Sequence, residues 1–315
     1  MNLQEAVTEF NGIVSRLKPE ILPLFLVKLK NSYCSDSNLS EMCSSNEDRM
    51  MASIQTDIRK LVPLDALAPG ETLVPPGAQI EDCDAATSLH VDAFLYDEDT
   101  LDTLVDEGKI SRNFCTKCGS HEVKPLTFLS HSASLQQVKF IFQHLVPRLE
   151  GKTVLDIGSR LGAVLYGAYY YSSASRIIGV EMNEFFHGLQ SDVVQRYNMS
   201  DRVSVICADI CTQLEAIQSA DVVIMNNVFE FFASKDIQSK IWGLLYENIR
   251  KKGTIVITSP SLEESLYKLG ITIDIGTWLK PSPMEEYLAA GNFILFGSED
   301  SDDSDLANIH MYRVL

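Results

Sequence analysis

Short apolar runs separated by amphipathic stretches fill the second half of the chain, from Lys152 onward. Continuous apolar runs that alternate with helical segments are typical of a parallel sheet covered by helices on both faces. We therefore expect a doubly wound α/β fold whose first five strands are TVLDIG, RIIGVEMN, RVSVICADI, ADVVIMNN and GTIVITSP. Two further apolar runs, NFILFG and IHMYRVL, flank a strongly acidic loop. We expect them to pair as an antiparallel hairpin at one edge of the sheet.

The first 65 residues show helical periodicity instead. Apolar side chains recur at helical spacing from Leu3 to Leu17, a second helix is expected to begin near Pro19, and a third over Met50–Leu61. Between 63 and 80 the chain contains four Pro and two Gly residues, which indicates a linker or an extended strap.

The segment between this linker and the first sheet strand contains both helix-like and strand-like stretches. Asp97–Val105 predicts a short acidic helix, and Ser132 or Ser134 is placed to cap a helix that starts near Leu135. The predicted organisation is a helical N-terminal extension with a Pro-rich linker at 1–80, a mixed segment at 81–132 and the α/β domain at 133–315.

The chain is acidic, with 43 Asp and Glu residues against 26 Lys and Arg residues among 315, and a net charge of −17. Nucleic-acid affinity depends on clustered cations, so this charge argues against bulk phosphate binding. The acidic surface favours solubility first, and a basic partner is the alternative. The sequence shows neither an apolar stretch long enough for a membrane helix nor a signal-peptide pattern in its first ten residues. Seven scattered Cys residues suit reduced thiols, so we expect an intracellular protein, cytoplasmic or nuclear, without membrane association.

The strongest chemical signal is the sequence DIGSRLG at 156–162, where the first predicted strand turns into a helix. Gly158 allows a ligand to approach the backbone closely, and Gly162 allows the helix to start close to the sheet. The Gly-x-x-x-Gly spacing differs from the Gly-x-Gly-x-x-Gly fingerprint of dinucleotide sites. A carboxylate at Asp156 would repel a pyrophosphate but attract an amino or sulfonium cation.

Two further acids follow predicted strands. Glu181, 25 positions after Asp156, can accept hydrogen bonds from both hydroxyls of a ribose, and Asp209 can accept one from an adenine amino group. The carboxyl ends of parallel strands meet at one edge of a sheet, so all three acids would gather at its switch point. The alternative is a parallel-sheet protein in which these acids only cap strands.

On these motifs, residues 130–315 resemble a class I S-adenosylmethionine-dependent methyltransferase. The resemblance implies a mostly parallel, seven-stranded sheet with an antiparallel terminal strand, and S-adenosyl-L-methionine as the cofactor. It places Asp156, Gly158 and Gly162 in the family's first motif, Glu181 at the ribose and Asp209 on the adenine side. The cofactor-binding set expected on this basis is Asp156, Gly158, Ser159, Gly162, Glu181, Met182, Asp209, Ile210, Asn226 and His131.

Two residues of this region leave alternatives open. Arg160 stands where the family often has a small residue or glycine, and it could point outward or pair with a ligand carboxylate. An inward position would put cofactor binding in doubt. His131 precedes the helix that leads into the first strand, and it could face the cofactor or belong to an exposed helix-capping turn.

The loop after the fourth strand, NNVFEFF, is similar to that of the Dot1 family of histone lysine methyltransferases. On that resemblance Asn226 or Asn227 would hold the amino-acid end of the cofactor or orient an incoming amine. Phe229 would wall the pocket, and Glu230 could accept a proton. The alternative is that both Asn residues cap a helix beginning at Val228, with the Phe side chains in the core.

A metal site is suggested by Cys115 and Cys118 in the sequence CTKCGSH. Two thiolates two residues apart beside a glycine suit structural zinc. Further ligand candidates are His121, His131, Cys83 and His90. Two free thiols or a redox pair are the alternatives.

The function expected from the sequence is methyl transfer from S-adenosylmethionine to a macromolecule, with a protein favoured over RNA. The residues expected on the acceptor side are Asn226, Asn227, Phe229 and Glu230. RNA methylation would require a local basic patch, which Arg112, Lys117 and Lys124 could begin to form. A non-catalytic scaffold of the same fold is the third alternative, and Arg160 is its main support.

Overall fold

The computed structural model describes residues 3–18, 21–22, 24–25, 28, 45–72, 87–116, 122–229, 232–296 and 305–315. The described helices are α1 Leu3–Val14, α2 Asn46–Arg59, α3 Glu98–Asp106, α4 Leu135–Lys139, α5 Ala163–Tyr171, α6 Glu184–Arg196, α7 Leu214–Ser219, α8 Lys235–Asn248, α9 Leu262–Leu269, α10 Ile275–Trp278 and α11 Glu285–Phe296. The described strands are β1 Ser88–His90, β2 Asn113–Cys115, β3 Val123–Pro125, β4 Thr127–Leu129, β5 Thr153–Ile157, β6 Arg176–Glu181, β7 Val203–Cys207, β8 Val222–Asn226, β9 Ile255–Ser259, β10 Leu279–Pro281 and β11 His310–Val314. A π-helical turn at Phe140–Leu145 extends α4, and 3-10 turns lie at Ile210–Thr212 and Asp305–Asn308.

The central sheet is mixed and mostly parallel, with the strand order β10-β11-β9-β8-β5-β6-β7. Strands β5 to β9 run parallel, whereas β11 runs antiparallel to both β9 and β10. The chain lays down β5, β6 and β7 in one direction and then returns to add β8 and β9 on the other side of β5. The strand order therefore reverses between β5 and β8, the kind of switch point at which open α/β sheets bind ligands.

The five predicted strands are confirmed as β5 to β9, one for each apolar run. Successive side chains of β5 enter separate apolar clusters, because they point to opposite faces of the sheet. Val154 belongs to the cluster that includes α5 and α6, whereas Leu155 and Ile157 belong to the cluster that includes Trp242 of α8. Helices thus bury both faces, which explains why these runs are apolar throughout.

The predicted terminal hairpin is wrong. Residues 292–296 of the run NFILFG lie in α11, and the edge strand is the short β10, so β11 inserts between β10 and β9. A short apolar run does not by itself distinguish a buried strand from a helix, and the preceding EEYLAA sequence favours a helix. Gly291 lets α11 approach the Phe140 ring closely, since a Cβ there would lie 2.6 Å from that ring.

The segment that precedes the α/β domain packs against it through α2. Asp48 forms an ion pair with Lys139 at 2.7 Å and accepts a hydrogen bond from the Tyr171 hydroxyl at 2.8 Å. Asp57 of α2 also accepts hydrogen bonds from Arg196 and Tyr197, at 3.1 Å each. These contacts hold α2 on the domain and so direct the chain that follows it, residues 60–72. The helix expected after Pro19 lies largely outside the described residues.

The helices α3 and α4 each begin directly after a residue that caps them. The Asp97 side chain accepts a hydrogen bond from the Thr100 amide and caps α3, which confirms the short acidic helix. Ser134, rather than Ser132, caps α4 in a reciprocal capping box with Gln137. Within the described ranges, no helix combines the length and apolar character needed to cross a membrane.

The packing of α4 on α5 can be tested with one substitution made in two helices. A Cβ at Gly167 of α5 would lie 1.9 Å from Val138 Cγ1, whereas a Cβ at the exposed Gly188 of α6 would meet nothing within 4 Å. We expect Gly167→Ala to lower the free energy of unfolding by about 1–3 kcal/mol through overpacking. Gly188→Ala should raise it by about 0.5–1 kcal/mol through helix propensity. Urea unfolding of both variants measures this, and equal effects would contradict the packing described.

Candidate functional site

A cavity of about 630 Å³ opens at the carboxyl edge of the sheet, beside the ends of the paired strands β5 and β8. Its volume is that of a site for one small molecule. The ends of β5, β6 and β8, the loop after β7 and the 60–72 segment all contribute to its walls. The sequence-predicted residues that line it are Gly158, Glu181, Met182, Asp209, Ile210, Asn226, Asn227, Phe229 and His131.

The turn from β5 into α5 has a left-handed backbone at alternate positions. Gly158 has φ +73°, and a Cβ there would lie 2.0 Å from Val228 Cγ2. Gly162 has φ +85°, and a Cβ there would lie 2.5 Å from the Tyr166 ring. Both glycines are therefore required by the backbone and by close packing. Gly158 borders the cavity, whereas Gly162 sets the start of α5.

Glu181 is a buried acid that borders the cavity. It ends β6 and is 7% exposed. One carboxyl oxygen accepts a hydrogen bond from the Arg160 amide and the other from the Asn183 amide, each at 2.8 Å. Burial raises the pKa of Glu181, while these amides and the Arg160 cation oppose that rise. Each oxygen retains a second lone pair, so the group can accept two further hydrogen bonds from a diol.

Asp156 lies elsewhere than expected. It is 3% exposed and is not among the described residues that line the cavity. Burial, with a smaller contribution from the Glu181 charge, raises the pKa of Asp156 to about 8. The side chain is therefore largely protonated at neutral pH, and it is a buried acid rather than a carboxylate at the ligand surface.

The loops after β6 and β7 form one end of the cavity. Asp209 is exposed, and its side chain accepts a hydrogen bond from the Cys211 amide at 2.8 Å, capping the 3-10 turn. Met182 is 72% exposed and Ile210 is buried. Ser159, by contrast, points away from the cavity lining, because its hydroxyl donates to Gln190 Oε1 at 2.8 Å in the interior.

His131 borders the cavity and is 5% exposed, so the alternative of an exposed helix-capping turn is wrong. Its ring packs on His90, with centroids 4.5 Å apart, and meets the Phe232 ring edge-on at 4.9 Å. Burial, with the nearby His90 and Arg160, lowers the pKa of His131 to about 2. The imidazole is thus neutral throughout the physiological range.

The loop after β8 contributes both polar and apolar groups. Asn226 and Asn227 border the cavity, and Asn227 has φ +48° with its amide donating to the Ser259 carbonyl at 2.7 Å. Phe229 is a cavity wall and also belongs to the core, with its ring edge-on to Trp242 at 5.5 Å. The next described helix is α8, capped by Ser234, so neither Asn caps a helix beginning at Val228. Glu230 lies outside the described residues.

Arg160 points inward. Its side chain is 7% exposed and forms an ion pair with Glu71, with Nη1 2.8 Å from Oε1 and Nη2 3.2 Å from Oε2. Nη2 also donates to the Ala66 carbonyl at 3.1 Å. Pro69, Gly70 and Glu71 therefore border the cavity, and sequence reasoning missed all three. The Pro-Gly pair signals a turn, but nothing in its pattern says which surface that turn covers.

The structure does not support zinc. Cys115 is exposed at the end of the β2–β3 hairpin, whereas Cys118 and His121 lie outside the described residues. In the part of the chain that the structure describes, no group of three or more His, Cys, Asp or Glu side chains could hold a metal ion.

The basic patch that RNA binding would require has a reduced positive charge at Arg112. Arg112 Nη2 lies 2.9 Å from Glu98 and 2.8 Å from Asp102, so two carboxylates offset its charge. Lys124 is exposed, and Lys117 lies outside the described residues. Of the three cations, only Lys124 stays available in the described structure for a phosphate backbone.

Comparison with known proteins gives similarity of structure alone. No protein-family model and no curated protein matches the chain. An O-methyltransferase from Bacillus cereus in complex with S-adenosylhomocysteine is 14% identical, with a TM-score of 0.39, covering 59% of this chain and 84% of that one. An RNA methyltransferase from Salinibacter ruber, also in complex with S-adenosylhomocysteine, is 17% identical, with a TM-score of 0.35. The match covers 57% of this chain and 87% of that one. A precorrin-6y C5,15-methyltransferase from Geobacter metallireducens is 16% identical, with a TM-score of 0.36 and coverage of 47% and 73%.

The buried acid Asp156 predicts a specific pH dependence of stability. Its folded pKa of about 8 lies above the usual value of 3.8, so the folded state holds the proton more tightly than the unfolded state. Stability from this group is complete below pH 4 and is lost as the pH rises toward 8, by up to about 1.4 kcal/mol per pH unit. We expect Asp156→Asn to remove this loss. The free energy of unfolding of the variant should therefore rise relative to that of the wild type between pH 5 and 8. Urea unfolding at several pH values measures this difference. If the unfolding free energies of the two proteins changed with pH in the same way, the prediction would be contradicted.

Proposed function

We propose that the chain transfers a methyl group from S-adenosylmethionine to an acceptor molecule. The observation that carries this proposal is the Glu181 carboxylate at the switch-point cavity, with each oxygen oriented by a backbone amide. A carboxylate held in this way at the end of the second parallel strand suits the two hydroxyls of a ribose. The sheet order and the Gly158 turn, which lets a ligand approach the backbone, support the same assignment.

The residues present fit such a cofactor along the cavity. The loop after β7, with Asp209 and Ile210, would hold the adenine, and Glu181 would hold the ribose. The amino-acid end would lie over β5 and β8, beside Asn226. S-adenosylmethionine, when bound, supplies a methyl group already activated by its sulfonium centre.

The chain's own part in the reaction is to align the acceptor and exclude water. Ile157, Val180 and Phe229 form apolar walls that shelter the cavity interior. The Asn226 and Asn227 amides offer both donors and acceptors with which to orient an incoming nucleophile. Glu230 remains our proposed proton acceptor for an amine, on sequence grounds alone.

For the acceptor we propose a macromolecule, and a protein rather than RNA. Exposed apolar side chains flank the cavity, namely Phe232 at 44%, Ile237 at 51% and Met182 at 72% exposed. Apolar groups beside a site provide contact area for a protein segment. The net charge of −17 and the engaged Arg112 disfavour a phosphate backbone and suit a basic protein.

The cofactor assignment is tested by calorimetric titration with S-adenosylmethionine and S-adenosylhomocysteine. We expect saturable binding of both, weakened about tenfold or more by Glu181→Gln, because hydrogen bonds to a charged group are lost. Glu184→Gln is the matched control, since Glu184 is exposed on α6 and is not among the described lining residues. It should leave affinity within about twofold of the wild type.

Two other outcomes of that titration have distinct meanings. Absence of binding to folded wild-type protein, checked by thermal unfolding, would overturn the proposed function. Binding without any methyl transfer would favour a non-catalytic scaffold of this fold. The inward Arg160, which occupies a position where the family often has a small residue or glycine, is the observation that supports that second candidate.

The acceptor class is tested with S-adenosylmethionine labelled on its methyl group and fractionated cell extract. We expect the label in material that protease digests and ribonuclease leaves intact, because the apolar rim and acidic charge suit a protein. A heat-inactivated sample of the same protein is the control. Label released by ribonuclease would contradict the protein assignment and favour RNA.

A further inference from the structure

Backbone strain concentrates around the cavity. In the described chain four non-glycine residues have positive φ, and three of them meet at this site: Ala66 at 48°, Arg160 at 43° and Asn227 at 48°. Left-handed backbone at residues with a Cβ costs free energy and persists where the surrounding structure requires it. Arginine in such a turn, where glycine would be free of strain, indicates that its side chain has a function there.

The Arg160 guanidinium is held as a receptor for a carboxylate. It packs against two aromatic rings, with its central carbon 4.4 Å from the Phe186 centroid and 5.6 Å from the Phe232 centroid. Its two terminal nitrogens form the fork that binds both oxygens of Glu71. The buried Nε–H has no hydrogen-bond partner among the described residues, so the receptor retains an unused donor.

Glu71 occupies this receptor from outside the sheet. It belongs to the 60–72 segment, and its backbone amide and side chain form a local turn with Ala68, at 2.9 and 2.8 Å. Removing one partner from a buried ion pair is costly, because the remaining charge is left without compensation. Exchanging one carboxylate for another avoids that cost for Arg160, which stays paired, whereas Glu71 gives up its ion pair.

The sheet topology places this receptor where the amino-acid end of the cofactor would lie. Strands run in the order β8, β5, β6, β7, so a ligand with adenine by Asp209 and ribose at Glu181 extends next over β5. Arg160 directly follows β5, and its amide already bonds Glu181 at 2.8 Å. Beyond the ribose the ligand continues through its sulfur into an amino-acid chain, which ends in an α-carboxylate.

We propose that Arg160 selects the cofactor by its α-carboxylate, and that Glu71 holds the same guanidinium fork when no cofactor is bound. This inference rests on the proposed function. Cofactor binding then exchanges the Glu71 carboxylate for the ligand carboxylate on Arg160, which frees Glu71. Occupancy of the cavity is thereby linked to the position of the 60–72 segment, and through it to α2.

The experiment compares two ligands that differ in the carboxylate alone, S-adenosylhomocysteine and its decarboxylated analogue. Calorimetry should show that the wild type binds S-adenosylhomocysteine about tenfold or more tightly than the analogue. Glu71→Gln removes the competing charge, so it should tighten S-adenosylhomocysteine by about threefold or more and leave the analogue within about twofold. Arg160→Gln should abolish the preference between the two ligands.

The double variant Glu71→Gln with Arg160→Gln removes both buried charges and guards against misfolding of the single Arg160 variant. It should bind both ligands equally, because the guanidinium that recognises the ligand carboxylate is absent. The inference is overturned if Glu71→Gln weakens both ligands alike, or if the double variant keeps the preference for S-adenosylhomocysteine. Failure of both ligands to bind the wild type would overturn the proposed function itself, and the inference with it.

Discussion

The left-handed turn between β5 and α5 constrains the whole carboxyl edge of the sheet. The backbone has positive φ at Gly158, Arg160 and Gly162, and a Cβ at either glycine would overlap a neighbouring side chain. Both backbone groups of Arg160 are held, its amide by Glu181 and its carbonyl by Gln190. The turn is thereby joined to β6 and α6 as one unit, and the shape of the cavity depends on it.

The electrostatics of the site follow from this crowding. Glu71 pairs with the Arg160 guanidinium, Glu181 lies within reach of the same charge, and Asp156 is buried near Glu181. Burial raises the pKa of both Asp156 and Glu181, and the repulsion of Glu181 raises that of Asp156 further. Such a site resists additional anions such as a pyrophosphate and favours a ligand with a cationic centre. A sulfonium compound with its own carboxylate matches that balance better than a nucleotide does.

The sequence allowed much of the sheet and part of the site to be predicted, for identifiable reasons. Strands buried on both faces leave continuous apolar runs, and an acid at a strand end is positioned by topology alone, which is why β5 to β9 and Glu181 were predictable. The helical structure of the apolar run in α11 was not predictable, because a buried helix and a buried strand share the same apolar composition. The depth of Asp156 and the contact of Glu71 with Arg160 depend on tertiary packing over long separations. No local pattern records them.

The contacts of the N-terminal segment join residues far apart in the chain. Glu71 and Arg160 are 89 positions apart, Asp48 and Tyr171 are 123 apart, and Asp57 and Arg196 are 139 apart. Each of these partners is translated after the segment it binds. At typical rates of synthesis, α2 therefore waits roughly ten seconds or more on the ribosome before Arg196 exists. During that interval its apolar face, with Met51, Ile54 and Ile58, has yet to meet the core that buries it. The same helix that later supports the cavity is thus a part of the nascent chain that needs protection from aggregation during this interval.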